Sequence, residues 1–293
     1  MEGIIEKSSS NHKLVLDNYC KLIICHEEIL SRIVKCFIDE ANHLTLNEIE
    51  RLIKEKKSFQ HLDKENFIPY SGKTNYDFLC TIDLSPRIYL NVEIQNDPNP
   101  GYSLITRGLT YISRIMTTQW KNEYYDYDYN HIKKVYSIWI LPQSSKKNDG
   151  HINAYKIDEI NINGTTIERI ETYDKGVLIM IYLNKEHDTN EKYIIYDNIL
   201  TPLVTFLNNV LNYQEKRKIM KKYGFKVIDK EIEKMCNLGE MIEREAKQKE
   251  RKKRNIMVVK NLIHNLNTTF SNAVELLGLP QQEIDEIKKY FQS

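Results

Sequence analysis

Two strand-like runs, residues 76–82 and 88–95, flank Asp83-Leu84-Ser85-Pro86-Arg87, a polar segment whose Ser and Pro mark a turn. A hairpin turning about Ser85 pairs Phe78 with Val92, Cys80 with Leu90 and Ile82 with Ile88, so one face is apolar throughout. The same register sets Asp77 opposite Glu93 on the other face, where cross-strand Cβ atoms lie roughly 5 Å apart. Gln95 shares that face because strand side chains alternate. Two carboxylates and an amide thus converge on a face expected to meet solvent. A hard divalent cation prefers such oxygen donors. A half-buried antiparallel hairpin also carries polar residues on its wet side with no metal involved. Asp83, the rival carboxylate, lies about 20 Å from Asp77 along the strand and reads as a turn residue.

Helical spacing dominates before the hairpin. Ile23, Ile24, Ile29, Ile33, Val34 and Phe37 recur every three or four residues, predicting an amphipathic helix that runs to about Glu40. Thr45 and Glu48 form a capping-box pattern that opens a second helix over about 46–55. Residues 56–75 read as polar and irregular. Beyond the hairpin, Pro98, Pro100 and Gly101 end the strand. Residues 102–120 then read as a helix with Leu104, Leu109, Ile112, Ile115 and Met116 as its apolar stripe. Arg107, Tyr111 and Arg114 share another face of it, and Tyr111 reads as packing. Residues 135–141 and 177–183 are buried strands, with Trp139 in the core. This order indicates a mixed α/β sheet flanked by helices.

From about 186 the chain turns helical and charged, with an amphipathic stretch over 199–213. Residues 247–254 hold six basic side chains, Lys247, Lys249, Arg251, Lys252, Lys253 and Arg254, against one acidic. The run reads either as a solvated helix face or as a set of phosphate contacts. Residues 271–284 read as helix, Gly stop, Pro start, helix. That is a packing hairpin or, alternatively, a helix-turn-helix reader. Self-association through these C-terminal helices is a further expectation. The signals divide the chain at about 225 into an α/β domain, 1–225, and a charged helical region, 226–293.

Composition narrows the classes. The 293 residues are 41% hydrophobic, enough for a sizeable core, and the formal net charge of +1 leaves nucleic-acid affinity to local patches. No apolar run is long enough for a membrane span, and the N-terminus lacks the pattern of a secretory signal. The five cysteines are scattered without CxxC spacing, which reads as reduced thiols in the cytoplasm.

The segment 91–95 (Asn-Val-Glu-Ile-Gln), the loop 99–102, Arg107-Gly108-Leu109-Thr110-Tyr111, Ser113-Arg114, Gln119 and 134–140 together resemble the PD-(D/E)XK nuclease family transposases, including the recombination-promoting nuclease group. The order and spacing match from roughly 30 to 240, and residues 235–238 resemble the start of that family's C-terminal region. The resemblance implies a restriction-endonuclease-like fold: a mixed central sheet flanked by helices, with a helical C-terminal extension. It implies that Asp77 and Glu93 bind Mg²⁺ (or Mn²⁺), that Gln95 stands where the family motif usually has lysine, and that the reaction is hydrolysis of a DNA phosphodiester. Glu40 is the upstream acid by resemblance, a surface carboxylate being the alternative. Because Gln95 brings no charge, Arg107 becomes the candidate cation at the scissile phosphate. Arg107 and Arg114 with the basic run are the expected DNA contacts.

Three readings follow from the residues: an active endonuclease, an inactive DNA-binding or protein-interaction module on the same fold, and a structural or regulatory protein without DNA contact. Salt-dependent DNA retention separates the third from the others, and metal-dependent nicking separates the first two.

Overall fold

The computed structural model describes residues 24, 26–55, 58–62, 65–68, 72–120, 122–125, 128–143, 147–148, 150–183, 197–207, 211–226 and 229–291. Contacts group the chain into two units, one ending at Glu233 and one taking up from Lys234.

The first unit is α/β. Helix α1 (Glu27–Phe37) is followed by a 3-10 turn (Asp39–Ala41) and helix α2 (Leu46–Lys54). The Thr45 hydroxyl accepts from Glu48 N–H and the Glu48 carboxylate accepts from Thr45 N–H, completing the capping box. Strands β1 (Phe59–His61), β2 (Glu65–Ile68) and β3 (Gly72–Asn75) come next, then the hairpin β4 (Phe78–Asp83) and β5 (Arg87–Ile94). Helix α3 (Leu104–Thr118) leads to β6 (Val135–Leu141), β7 (Ile152–Lys156) and β8 (Gly176–Tyr182). Helices α4 (Asp197–Leu207) and α5 (Tyr213–Lys222) complete this part of the chain.

Six strands form one mixed sheet in the order β1-β4-β5-β6-β8-β7, and β2 pairs with β3 apart from it. The hairpin register is the expected one: Phe78 faces Val92, Cys80 faces Leu90 and Ile82 faces Ile88. Ser85 turns the chain with a positive φ of 55°. Asp83 is the last residue of β4 and meets Arg87 at 3.5 Å, at the end remote from Glu93.

Two expectations fail here. Residues 56–75 are not irregular, because they hold three strands. The short β1 gains its order by pairing with β4, Phe59 against Ile82, a partner its own few residues do not announce. The second failure concerns the face carrying Glu93, which does not meet solvent. Strand β5 pairs in parallel with β6, and β6 in parallel with β8. Parallel neighbours require crossovers, which cover the sheet. Helix α3 lies over this face and buries Leu104, Tyr111, Ile112 and Ile115 against Trp139, Leu178 and Met180. On the far side α1 packs on α2 and α4, and α2 meets β1 and β4.

The second unit is helical. It contains most of helix α6 (Asp229–Leu266), with α7 (Phe270–Leu276) and α8 (Gln281–Lys288). Gly278, at φ 58°, takes the left-handed conformation between the last two. Ala273, Val274 and Ile287 bury with Val259 of α6, so the terminal hairpin packs on the long helix. No described helix is long and apolar enough to cross a membrane.

Helix α3 approaches the sheet most closely at Gly108, where an added Cβ would stand 2.5 Å from a Leu178 methyl. Gly108→Val should destabilise the protein by about 1–3 kcal/mol through overpacking. Leu178→Ala in the same chain should recover part of that loss in a urea melt, whereas additive losses would refute the contact.

Candidate functional site

Asp77 lies one residue before β4, and Glu93 is the penultimate residue of β5. The Asp77 N–H donates to Glu93 Oε1 at 3.1 Å, and the Ile94 N–H donates to Asp77 Oδ2 at 3.0 Å. Each carboxylate therefore accepts from backbone on the other's strand, which braces the pair across the hairpin. Such charge-assisted bonds are stronger than neutral ones. Asp77 is half-buried and Glu93 only 4% exposed.

Gln95 continues the ladder, its N–H donating to Ile140 O at 2.9 Å. Its side-chain nitrogen donates to Asp97 O at 2.7 Å, and its Oε1 accepts from Arg107 Nη1 at 3.5 Å. Helix α3 delivers Arg107. It opens at Ser103, whose hydroxyl accepts from Thr106 N–H, and Arg107 falls at the end of the first turn. The guanidinium donates from Nε (3.2 Å) and Nη2 (2.7 Å) to the Tyr111 hydroxyl, and from Nη1 (3.0 Å) to that of Tyr102. It also sits 5.2 Å from the ring centroids of both Tyr111 and Trp139. Stacked aromatic faces favour a planar cation. Burial pulls the Arg107 pKa down, but the bonds to Tyr111 and the nearby Tyr102 and Glu93 outweigh it, so the group is held firmly charged.

Tyr111 is more than packing. Its hydroxyl binds Arg107 and reaches toward Asn75 O at 3.5 Å, while its ring meets Tyr76 edge-on at 5.2 Å. Burial raises its pKa, Arg107 opposes the shift, and the carboxylates of Glu93 and Asp77 add to it. The hydroxyl therefore stays protonated through the physiological range. The i, i+4 spacing of Arg107 and Tyr111 was the signal for this contact.

Asn91 was not foreseen either. It is fully buried two residues before Glu93, on the same face. With its amide nitrogen toward Glu93 it donates to Glu93 Oε1 at 2.9 Å and to Phe78 O at 3.0 Å, and its oxygen accepts from Ser137 Oγ at 3.0 Å. The opposite orientation would set the amide oxygen against a carboxylate.

The structure thus brings Asp77, Glu93, Gln95 and Arg107 together. Glu40 is not with them, a correction to the expectation. It lies in the 3-10 turn after α1 rather than on the helix itself. Its Oε2 accepts from the Tyr136 hydroxyl at 2.7 Å, and Lys134 stands 3.5 Å from Oε1. Tyr136 pairs with Leu90, so its side chain belongs to the sheet face opposite Glu93, nearer the start of β6. Lys134 also bonds Asp174, making Glu40 part of a separate ionic cluster beside a cleft of ≈ 520 Å³.

Arg114 is half-buried on α3, about 10 Å beyond Arg107 along the axis. In the helical unit Lys247, Lys253 and Arg254 are exposed and Lys252 is half-buried. Arg251 bonds Glu283 at 2.7 Å, and the Lys249 side chain lies outside the described residues.

Among the described residues no three His, Cys, Asp or Glu side chains converge as a metal cage. Two braced carboxylates nevertheless suit Mg²⁺, which keeps several waters and takes one or two carboxylates plus substrate phosphates. The donor chemistry of Asp77 and Glu93 fits that ion.

Glu40→Gln should cost about 1–3 kcal/mol of stability by weakening a partly buried, charge-assisted contact. Should the carboxylate pair take up Mn²⁺, the variant should leave that affinity unchanged in calorimetry, and a lost affinity would return Glu40 to the carboxylate site.

No protein-family model matches the chain, and no curated protein or solved structure matches it either.

Proposed function

We propose that this protein is a Mg²⁺- or Mn²⁺-dependent endonuclease of the PD-(D/E)XK kind, resembling the recombination-promoting nucleases, that hydrolyses DNA phosphodiesters on a restriction-endonuclease-like sheet. The observation that carries this reading is the reciprocal brace of Asp77 and Glu93, with a charged guanidinium held beside Gln95. Asp77 and Glu93 would hold the cation. The chemistry a divalent cation would supply there is polarisation of a phosphoryl oxygen and a lowered pKa of the attacking water. Gln95 orients a water or a phosphate oxygen by hydrogen bonding. Arg107 offsets the negative charge that grows on the phosphoryl oxygens, the role a lysine would otherwise take. Its aromatic and hydroxyl partners hold it in place, so little reorganisation is needed as that charge develops.

Supercoiled plasmid with Mg²⁺ or Mn²⁺ tests the reading. The unaltered chain should nick it, and Glu93→Gln and Asp77→Asn should each abolish nicking and Mn²⁺ binding. Because Glu93 is buried, thermal melts must accompany the assay to show that the variants fold. Full activity in Asp77→Asn would refute the pairing. Salt-dependent DNA retention without nicking by the unaltered chain would instead support a non-catalytic DNA-binding module.

Arg107 has its own test. Arg107→Ala should lower kcat by about 10²–10³-fold if the guanidinium acts in the transition state, with DNA affinity little changed. Arg107→Lys keeps the charge without the fork and should fall between. A loss of melting temperature that accounts for the whole drop in Arg107→Ala would make the residue structural.

A further inference from the structure

Glu93, Asn91, Ser137 and Trp139 form a compact patch on two neighbouring strands: Asn91 pairs with Ser137 and Glu93 with Trp139. Asn91, Ser137 and Trp139 are all fully buried, and Trp139 belongs to a cluster of aliphatic and aromatic side chains. Buried amides and hydroxyls cost free energy unless bonded, so each partner here has consequences.

The direction of every bond follows from the acceptor-only groups that the Asn91 amide faces. The Trp139 indole can only donate, and its Nε1–H does so to Ser137 Oγ at 2.9 Å. Ser137 accepts there and keeps its single hydrogen for the Asn91 oxygen. It donates to the Asn91 oxygen at 3.0 Å. Phe78 O and the Glu93 carboxylate can only accept, so the oxygen of Asn91 must face Ser137 and its NH₂ group must face those two acceptors. Its two hydrogens meet Phe78 O and Glu93 Oε1, at 3.0 and 2.9 Å. Glu93 Oε1 also accepts from Asp77 N–H at 3.1 Å, so this oxygen is gripped by two donors from different strands.

We propose that Asn91 is the positioning residue of the carboxylate site, and that Ser137, itself bonded by the Trp139 indole, occupies the Asn91 oxygen while the Asn91 N–H grips Glu93. The relay runs from a donor-only indole through Ser137 and Asn91 to a buried carboxylate. It fixes the rotamer of Glu93 against Asp77, and the same indole face carries the Arg107 guanidinium at 5.2 Å. One aromatic side chain therefore touches both the relay behind the acidic member and the basic member of the site. The consequence for cation binding rests on the nuclease reading, while the relay itself does not.

The test uses the full chain and has two readouts. In ¹⁵N–¹H spectra the Asn91 side-chain amide, identified by its disappearance in Asn91→Ser, should be a slowly exchanging pair with one proton shifted well downfield. Glu93→Gln should move that proton back. Trp139→Phe and Ser137→Ala should move it too, although neither Trp139 nor Ser137 bonds to Glu93 in the relay. Titration with Mn²⁺ alone should show affinity weakened about tenfold or more in Asn91→Ser and less in Ser137→Ala, as expected when a ligand's supporting bond is lost. An Asn91 amide insensitive to Glu93→Gln, or unmoved by both Trp139→Phe and Ser137→Ala, would overturn the relay. Should Asn91→Ser fail to fold, the Ser137 and Trp139 variants still decide. An unaltered chain that binds no Mn²⁺ would count against the nuclease reading, and the spectra would still judge the relay.

Discussion

Strand β5 pairs antiparallel with β4 on one side and parallel with β6 on the other, and the rest of the structure follows from that second pairing. A parallel neighbour cannot be reached by a tight turn, so the chain must cross over the sheet. The crossover is helix α3, which carries Arg107 and Tyr111 onto the face of Glu93. The same pairing sets Trp139 beside Glu93 and Ser137 beside Asn91. Without it the hairpin would present two carboxylates to water, with neither a cation above them nor a hydrogen-bond relay beneath.

Burial makes the local chemistry consequential. A carboxylate as enclosed as Glu93 is costly unless donors compensate it. Here they come from Asp77 N–H, from Asn91, and from the field of a guanidinium itself held by two tyrosine hydroxyls and three ring faces. Polar networks of this kind are rigid when every member is satisfied. Rigidity suits a site whose work would be to hold charges in place.

The sheet keeps a second charged cluster separate. Near the start of β6 and β8, Lys134 joins Glu40 and Asp174, and Tyr136 donates to Glu40. Burial, together with the adjacent carboxylates Glu40 and Asp39, pushes the Tyr136 hydroxyl pKa strongly up. Strand alternation puts Tyr136 and Trp139 on opposite faces, so helix α1 and its following turn serve one cluster and α3 the other. An acid adjacent to the first helix in sequence is thereby excluded from the carboxylate pair.

Local patterns were legible because their physics is local. The hairpin register could be read from the residues because apolar pairing and a turn at Ser85 act over a short span, and it holds from Phe78↔Val92 to Ile82↔Ile88. The capping box at Thr45, the start of α3 after the Pro-Gly loop, and the strand at 135–141 were legible for the same reason. The meeting of Asp77 with Glu93 comes directly from that register. Burial of their face did not, because it depends on which distant strand lies alongside β5. Strand β1, the place of Glu40 and the partners of Asn91 likewise rest on contacts made far along the chain. The sequence by itself determined which residues could face one another across a turn. Only the tertiary structure decided which faces lose water, and therefore which polar groups must find each other.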